Sequence, residues 1–194
     1  MIFSNEMLLE NLKQYKNPKA KITRMCKEGS IVRFAHGKYE TDSQTPGYLL
    51  AGSIYGPSYL SFEFALSYYE LIPERVYTFT SATFEKKKKK TYINHFGTYT
   101  YRDVPSAAYP AGIRIVREGE YYYQIASAEK ALCDQLYKLP PVSNRKELLE
   151  LLFDDQRIDT DEFEKLNIAQ LHRIAPLYHC TNLKLLDIWI RRSL

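Results

Sequence analysis

Residues 11–38, NLKQYKNPKAKITRMCKEGSIVRFAHGK, decide how the first part of this chain is read. They carry six lysines (Lys13, Lys16, Lys19, Lys21, Lys27, Lys38) and two arginines (Arg24, Arg33) against one acid, Glu28. The whole 194-residue chain is only +4, from 27 basic and 23 acidic residues, so the positive charge is concentrated here. Asn17 followed by Pro18 reads as an N-cap with proline at the first helical position, where a missing N–H costs nothing. Gly29 after Glu28 reads as the left-handed residue that closes a helix of about three turns. Ile22, Met25 and Cys26 recur at i, i+3, i+4 and face inward, which turns Ala20, Thr23, Arg24 and Lys27 outward with Lys21 on the flank. Residues 30–39 then read as a β-hairpin with His36 and Gly37 at its turn. A basic helix followed at once by a basic hairpin has the order of a winged helix-turn-helix, recognition helix then wing. A compact positive segment is the electrostatic footprint of phosphate binding. The plainer alternative is a solvated helix and hairpin whose lysines serve solubility.

Upstream, Ser4 or Asn5 caps a first helix through Met7, Leu8, Leu9 and Leu12, which packs on Ile22, Met25 and Cys26. There is room for one helix before the recognition helix rather than two, so the DNA-binding module over residues 1–45 is minimal. Its small core needs support from Val32, Phe34 and Tyr39 or from the next domain. Residues 40–46 are polar and turn-rich and read as the linker. Beyond it an α+β domain is expected over 46–140. It holds a helix from 59 to about 71 capped by Ser58 and a strand at 76–81. One hairpin pairs 92–96 with 99–104 around Gly97 and Thr98, and another pairs 113–117 with 121–125. A helix then starts at Ser127 and stops before Pro140 and Pro141. Residues 141–194 read as a helical subdomain, with capping-box spacing at Asn144/Glu147 and Asp159/Glu162. The fold class is therefore α+β, a minimal N-terminal winged helix-turn-helix followed by an α+β domain with a helical C-terminal part.

Composition excludes several classes. Hydrophobic residues make up 45% of the chain, enough for a packed core. Three widely spaced cysteines (Cys26, Cys133, Cys180) form neither a disulfide framework nor a C-x-x-C pair, which points to reduced thiols and a cytoplasmic location. The first residues lack a basic start and a long apolar run, and no segment has the length of a membrane span. There is no glycine-rich phosphate loop and no G-x-S-x-G elbow, and the four histidines (His36, His95, His172, His179) are too scattered for a metal site. No cofactor, no metal and no catalytic residue is expected. One enzyme-like pattern stands against this: Glu63 with Glu85-x-Lys87 has the flavour of a metal-dependent nuclease, although an E-x-K triplet inside a lysine run arises by chance. That run, Lys86, Lys87, Lys88, Lys89 and Lys90, reads either as a solvated loop or as a second anionic contact.

Three groups of residues resemble a known family. Residues 15–22 (YKNPKAKI), Glu28-Gly29 and Gly37-Lys38-Tyr39 look like the winged-helix start of AbiEi-type antitoxins of abortive-infection (type IV toxin–antitoxin) systems. Residues 55–61 (YGPSYLS), 65–69 (ALSYY) and 71–77 (LIPERVY) look like the start of that family's antitoxin domain, and 126–134 (ASAEKALCD) resembles its later helix. The resemblance spans about 12–140. It implies a phage-defence antitoxin, not an enzyme, that binds double-stranded promoter DNA and represses its own operon. It also implies a C-terminal domain that counters a nucleotidyltransferase-like toxin, without requiring a stable complex; a homodimer on DNA fits the same reading. Carried onto this chain, the recognition helix presents Lys19, Lys21, Thr23, Arg24 and Lys27, with Arg24 the candidate for a guanine contact. Arg33, His36 and Lys38 in the wing would reach backbone or minor groove. A stand-alone transcriptional regulator whose tyrosine-rich middle domain binds a small effector is the alternative.

Overall fold

The structure, a computed structural model, describes residues 1–193 and is a mixed α+β fold. A short strand β1 (Ile2–Ser4) leads directly into helix α1 (Asn5–Asn11), and Ser4 caps that helix by accepting from the Met7 amide at 3.2 Å. Helix α2 (Pro18–Lys27) has the expected cap, the Asn17 side chain accepting from the Ala20 amide at 3.1 Å. It also has the expected stop: Gly29 sits at φ +74, its amide donates to the Cys26 carbonyl, and the Ser30 amide donates to the Met25 carbonyl. Those two bonds satisfy carbonyls that the helix end leaves open. Strands β2 (Val32–Ala35) and β3 (Lys38–Glu40) form the hairpin with Gly37 at φ +65 in its turn.

Strand β1 adds to that expectation. It pairs antiparallel with β3, giving a three-stranded sheet in the order β1-β3-β2. Leu8, Ile22, Ile31 and Tyr39 make a separate small core under it. Glu40, expected in the linker, instead ends β3 and is fully buried, its carboxylate accepting from the Thr41 amide at 2.8 Å and the Asp42 amide at 3.2 Å.

After a 3-10 turn (Gly47–Leu50) and the short helix α3 (Ala51–Ile54) come β4 (Ser58–Leu60), α4 (Phe62–Tyr68), β5 (Phe79–Thr83), β6 (Lys90–Asn94), β7 (Gly97–Asp103), β8 (Ile113–Glu118), β9 (Tyr121–Ala126) and α5 (Ala128–Lys138). The six strands form one mixed sheet in the order β6-β7-β5-β4-β9-β8. Helices α6 (Arg145–Leu149), α7 (Thr160–Glu164), α8 (Ile168–Ile174) and α9 (Thr181–Ser193), with a π-helical turn at Glu150–Asp155 after α6, complete the chain. Leu148, Leu171, Ile174 and Leu186 from these helices join the core formed by the sheet, α4 and α5.

The expected helix from 59 to 71 is a strand followed by a shorter helix. β4 lies at the sheet centre, antiparallel to β5 and parallel to β9, and Ser58, Tyr59 and Leu60 are all buried. A strand covered on both faces shows no alternation, so its apolar residues read as part of the helical stripe that follows. Ser58 does not cap; its hydroxyl donates to the Tyr55 carbonyl at 2.6 Å. The α4 terminus is capped from another element, the Phe64 amide donating to Thr80 Oγ1 on β5 at 3.0 Å. The hairpin of β6 and β7 turns at His95-Phe96 rather than at Gly97-Thr98, because the Asn94 side chain accepts from the Phe96 amide at 2.8 Å and closes an Asx turn two residues earlier.

The two units meet along a thin seam. Asn94 donates to the Phe34 carbonyl at 2.9 Å, His95 Nε2 bonds the Ser43 carbonyl at 3.0 Å, and the Phe34 and Phe96 rings meet edge-on at 6.2 Å.

Candidate nucleic-acid interface

Helix α2 buries Ile22 and half-buries Met25 and Cys26 against its small core. That single choice of inward face exposes Lys19, Ala20, Thr23, Arg24, Lys27 and Glu28 on the other side. The expected helical face is therefore assembled, with two qualifications of detail. Lys21 is half-buried, its ammonium 5.5 Å from the centre of the Tyr15 ring. Thr23 turns its hydroxyl back onto the Lys19 carbonyl at 3.1 Å, so it is spent within the helix. Arg24 makes one exposed ion pair, Nε to Glu28 at 3.5 Å, of the kind worth under about 1 kcal/mol. Its guanidinium fork is thus cheaply released to a ligand.

On the hairpin, Arg33 and His36 are exposed and bonded to each other, Nη2 to Nδ1 at 3.2 Å, and Arg33 Nε also donates to the Ala35 carbonyl at 3.3 Å. Burial pushes the Cys26 thiol up, and the Arg33 guanidinium opposes that shift. Lys38 is half-buried at the start of β3, opposite Ser4 of β1 and Ala35 of β2. The hairpin tip is fastened to α1 through the Asn5 amide and the Gly37 carbonyl at 2.8 Å. Helix and hairpin therefore share one small rigid unit.

The lysine run lies between β5 and β6. Lys86 is half-buried with its ammonium 5.3 Å from the Tyr55 ring centre, and Lys87, Lys88, Lys89 and Lys90 are exposed. The nuclease pattern does not assemble. Glu63 is ion-paired with Arg102, Glu85 accepts from Ser106 Oγ at 2.9 Å, and among the described residues no group of three or more His, Cys, Asp or Glu is placed to hold a metal ion.

Two features escaped the sequence reading. The first is a buried network on α5. Lys130 and Asp134 are fully buried and lie 3.1 Å apart; Asp134 accepts from Tyr59 at 3.0 Å, Ser61 at 2.6 Å and Tyr178 at 2.5 Å, while Lys130 donates to the Ala108 carbonyl at 2.7 Å and to Tyr178 at 2.5 Å. Burial pushes the Lys130 ammonium down and Asp134 holds it up. The available signal was an i, i+4 Lys/Asp pair, Lys130 and Asp134, flanking the apolar Ala131, Leu132 and Cys133. The second is an open cleft of about 580 Å³ at the seam, lined by Ile2, Tyr48, Leu60, Ile115, Tyr122 and Gln124 among others.

No family model matches this chain. No curated protein matches it either. Among the described residues, no helix is long and apolar enough to cross a membrane.

Proposed function

We propose that this protein is a DNA-binding autorepressor and antitoxin of the AbiEi type, whose N-terminal unit docks on the promoter of its own operon and whose larger domain counters a nucleotidyltransferase-like toxin. The carrying observation is the α2 surface. One short helix, capped and stopped by its own sequence, exposes Lys19, Arg24 and Lys27 together and is followed at once by the Arg33/His36 hairpin. The strand-helix-helix-hairpin order with sheet order β1-β3-β2 supports a winged helix-turn-helix reading, in which α1 crosses the backbone and α2 enters the major groove. Arg24 is the residue for a bidentate guanine contact and Lys19 and Lys27 for phosphates on either side. The antitoxin half of the proposal rests on the family resemblance of residues 55–77 and 126–134.

A promoter–reporter fusion carrying the region upstream of the gene tests the repressor half. Repression is expected with the wild-type chain and lost with Lys19→Glu/Arg24→Glu/Lys27→Glu; undiminished repression by that variant would refute the α2 assignment. The antitoxin half is tested by co-expression with the nucleotidyltransferase encoded beside the gene: rescue of growth supports it, and unrelieved toxicity contradicts it.

The seam cleft favours one second reading, a stand-alone regulator with a small-molecule effector, because ligand pockets of a few hundred Å³ commonly lie between domains. A neighbouring gene without nucleotidyltransferase character would favour it.

A further inference from the structure

The lysine loop is braced, and among the described residues none of its lysines is ion-paired. The Asp103 carboxylate, at the end of β7, accepts from Thr83 Oγ1 and from the backbone amides of Lys87 and Lys86. Glu85 and Lys87 sit in the left-handed region (φ 52 and 58), and Ser106 ties the Glu85 side chain at 2.9 Å. Both carboxylates therefore accept from backbone and hydroxyl groups rather than from a lysine ammonium. Among the described residues, no ion pair involves Lys86, Lys87, Lys88, Lys89, Lys90 or Lys138.

Lys138, in the last turn of α5, brings a further cation to the same place. Burial pushes its ammonium down, Arg102 and Lys89 push it further, and Asp103 resists. A pocket of about 450 Å³ lies between the loop and this helix, walled by Glu85, Lys87, Asp103, Ser106, Tyr137 and Lys138. Six lysines against the two carboxylates Glu85 and Asp103 leave a net positive patch, which attracts a polyanion that displaces condensed counterions.

The surroundings select the kind of polyanion. Lys86, Lys87, Lys88 and Lys89 sit on an irregular loop, Lys90 begins the edge strand β6 and Lys138 ends α5, so the cations do not line one face of a helix that would enter a duplex groove. Aromatic rings flank them: Tyr55 under Lys86, Tyr137 under Lys138 at 4.5 Å, and half-buried Tyr92 on the adjoining edge strand. Two carboxylates in the pocket wall oppose a compact triphosphate seated inside it, which leaves the exposed lysines outside as the anion contacts. A basic track with aromatic rings beside it is the pattern of single-strand binding. We propose that the loop carrying Lys86, Lys87, Lys88, Lys89 and Lys90, together with Lys138, is a second nucleic-acid site that takes a single-stranded phosphodiester chain, separate from the duplex surface on α2.

The test is fluorescence anisotropy of the full chain with labelled oligo(U), oligo(dT) and duplex DNA of about 20 nucleotides or base pairs, at about 50 and about 200 mM salt. Two triple variants are compared, Lys87→Gln/Lys88→Gln/Lys89→Gln and Lys19→Gln/Arg24→Gln/Lys27→Gln. Removing three loop phosphate contacts is expected to weaken single-strand binding by about 30-fold and to flatten its salt slope by about 2, from ~0.7 per contact. The α2 variant should keep single-strand affinity and lose duplex affinity. Oligo(U) bound more tightly than oligo(dT) assigns the site to RNA, and equal binding assigns it to either strand. The proposal is overturned if no single strand binds tighter than about 100 µM, if the loop variant binds single strands as wild type does, or if the loop variant is impaired only on duplex. Because the α2 surface is scored separately, a failed promoter-binding reading leaves this result interpretable. Circular dichroism melting guards against misfolding, and Asp103→Asn gives a second route by loosening the brace while all lysines remain.

Discussion

Asp134→Ala should destabilise the larger domain severely, and the reason is countable in the structure. The side chain is fully buried and accepts from three hydroxyls, those of Tyr59, Ser61 and Tyr178, as well as pairing with Lys130 at 3.1 Å. Removing one partner of a buried ion pair costs about 3–5 kcal/mol, because the other charge remains buried without compensation. Each hydroxyl left without an acceptor adds about 1–3 kcal/mol at most, and the terms overlap because one network carries them all. Lys130 limits the damage by giving up its proton, since burial already presses its ammonium down and Asp134 is what holds it up. A loss of about 4 kcal/mol is therefore expected, which is about 8–16 °C in Tm for a chain of this size. Lys130→Met should cost less, because Asp134 keeps its three hydroxyl donors. Urea unfolding and thermal melts of the two variants measure the difference. An Asp134→Ala protein within about 1 kcal/mol of wild type, or less affected than Lys130→Met, would refute this account of the network.

Other outcomes follow from single contacts. Arg24→Ala should leave Tm unchanged, since it breaks only an exposed 3.5 Å pair, yet weaken operator binding by about 1–3 kcal/mol and relax one base position, as read by anisotropy on single-base variants of the duplex. Gly47→Ala should destabilise by at least about 2 kcal/mol, because an added Cβ would overlap the Phe96 carbonyl oxygen and the Phe79 ring; a chemical melt equal to wild type contradicts the packing there. Acid should loosen the fold in stages. Burial opposes ionisation of Glu63, Asp103 and Asp187, but Arg102, the Thr83 and loop donors, and His172 with Arg191 outweigh it and leave all three below their ordinary values of 4.5, 3.8 and 3.8. Groups lowered on folding contribute stability that is complete above those ordinary values and is lost as pH falls through the lowered ones. A melting temperature that stays constant from neutrality to about pH 5 and then drops is expected, and a drop centred near neutrality would contradict it.

Much of the N-terminal unit could be read in the sequence because its signals are local. Asn17, Pro18 and Gly29 set the ends of α2 through bonds to their own neighbours, and the hairpin turn needs only Gly37. Strand β1 was not legible, because three residues show no period and its pairing with β3 reaches 38 positions along the chain, from Ile2 to Glu40. In the larger domain the hairpin of β8 and β9 and the helix α5 were legible for the same local reasons, a glycine turn and a Ser127 cap. β4 was missed because Ser58, Tyr59 and Leu60 are all buried, so both faces of the strand are covered and no alternation shows. The cap of α4 was invisible because Thr80 supplies it from another element. On the candidate surface the sequence could place polar and cationic side chains on a face but could not show which were already engaged: Thr23 by its own helix, Lys21 by Tyr15, Arg33 by His36. Nor could it show that a run of lysines is braced through Asp103, which lies at the far end of the following hairpin.

The central claim is that the small basic unit recognises the DNA upstream of its own gene. The most direct measurement is an anisotropy titration of the full chain on that upstream duplex and on a shuffled duplex, across a range of salt. With about five phosphate contacts per bound copy, the account predicts a clear preference for the upstream duplex and a log–log salt slope near about −4.5. Equal weak binding to both duplexes, or affinity indifferent to salt, would contradict it.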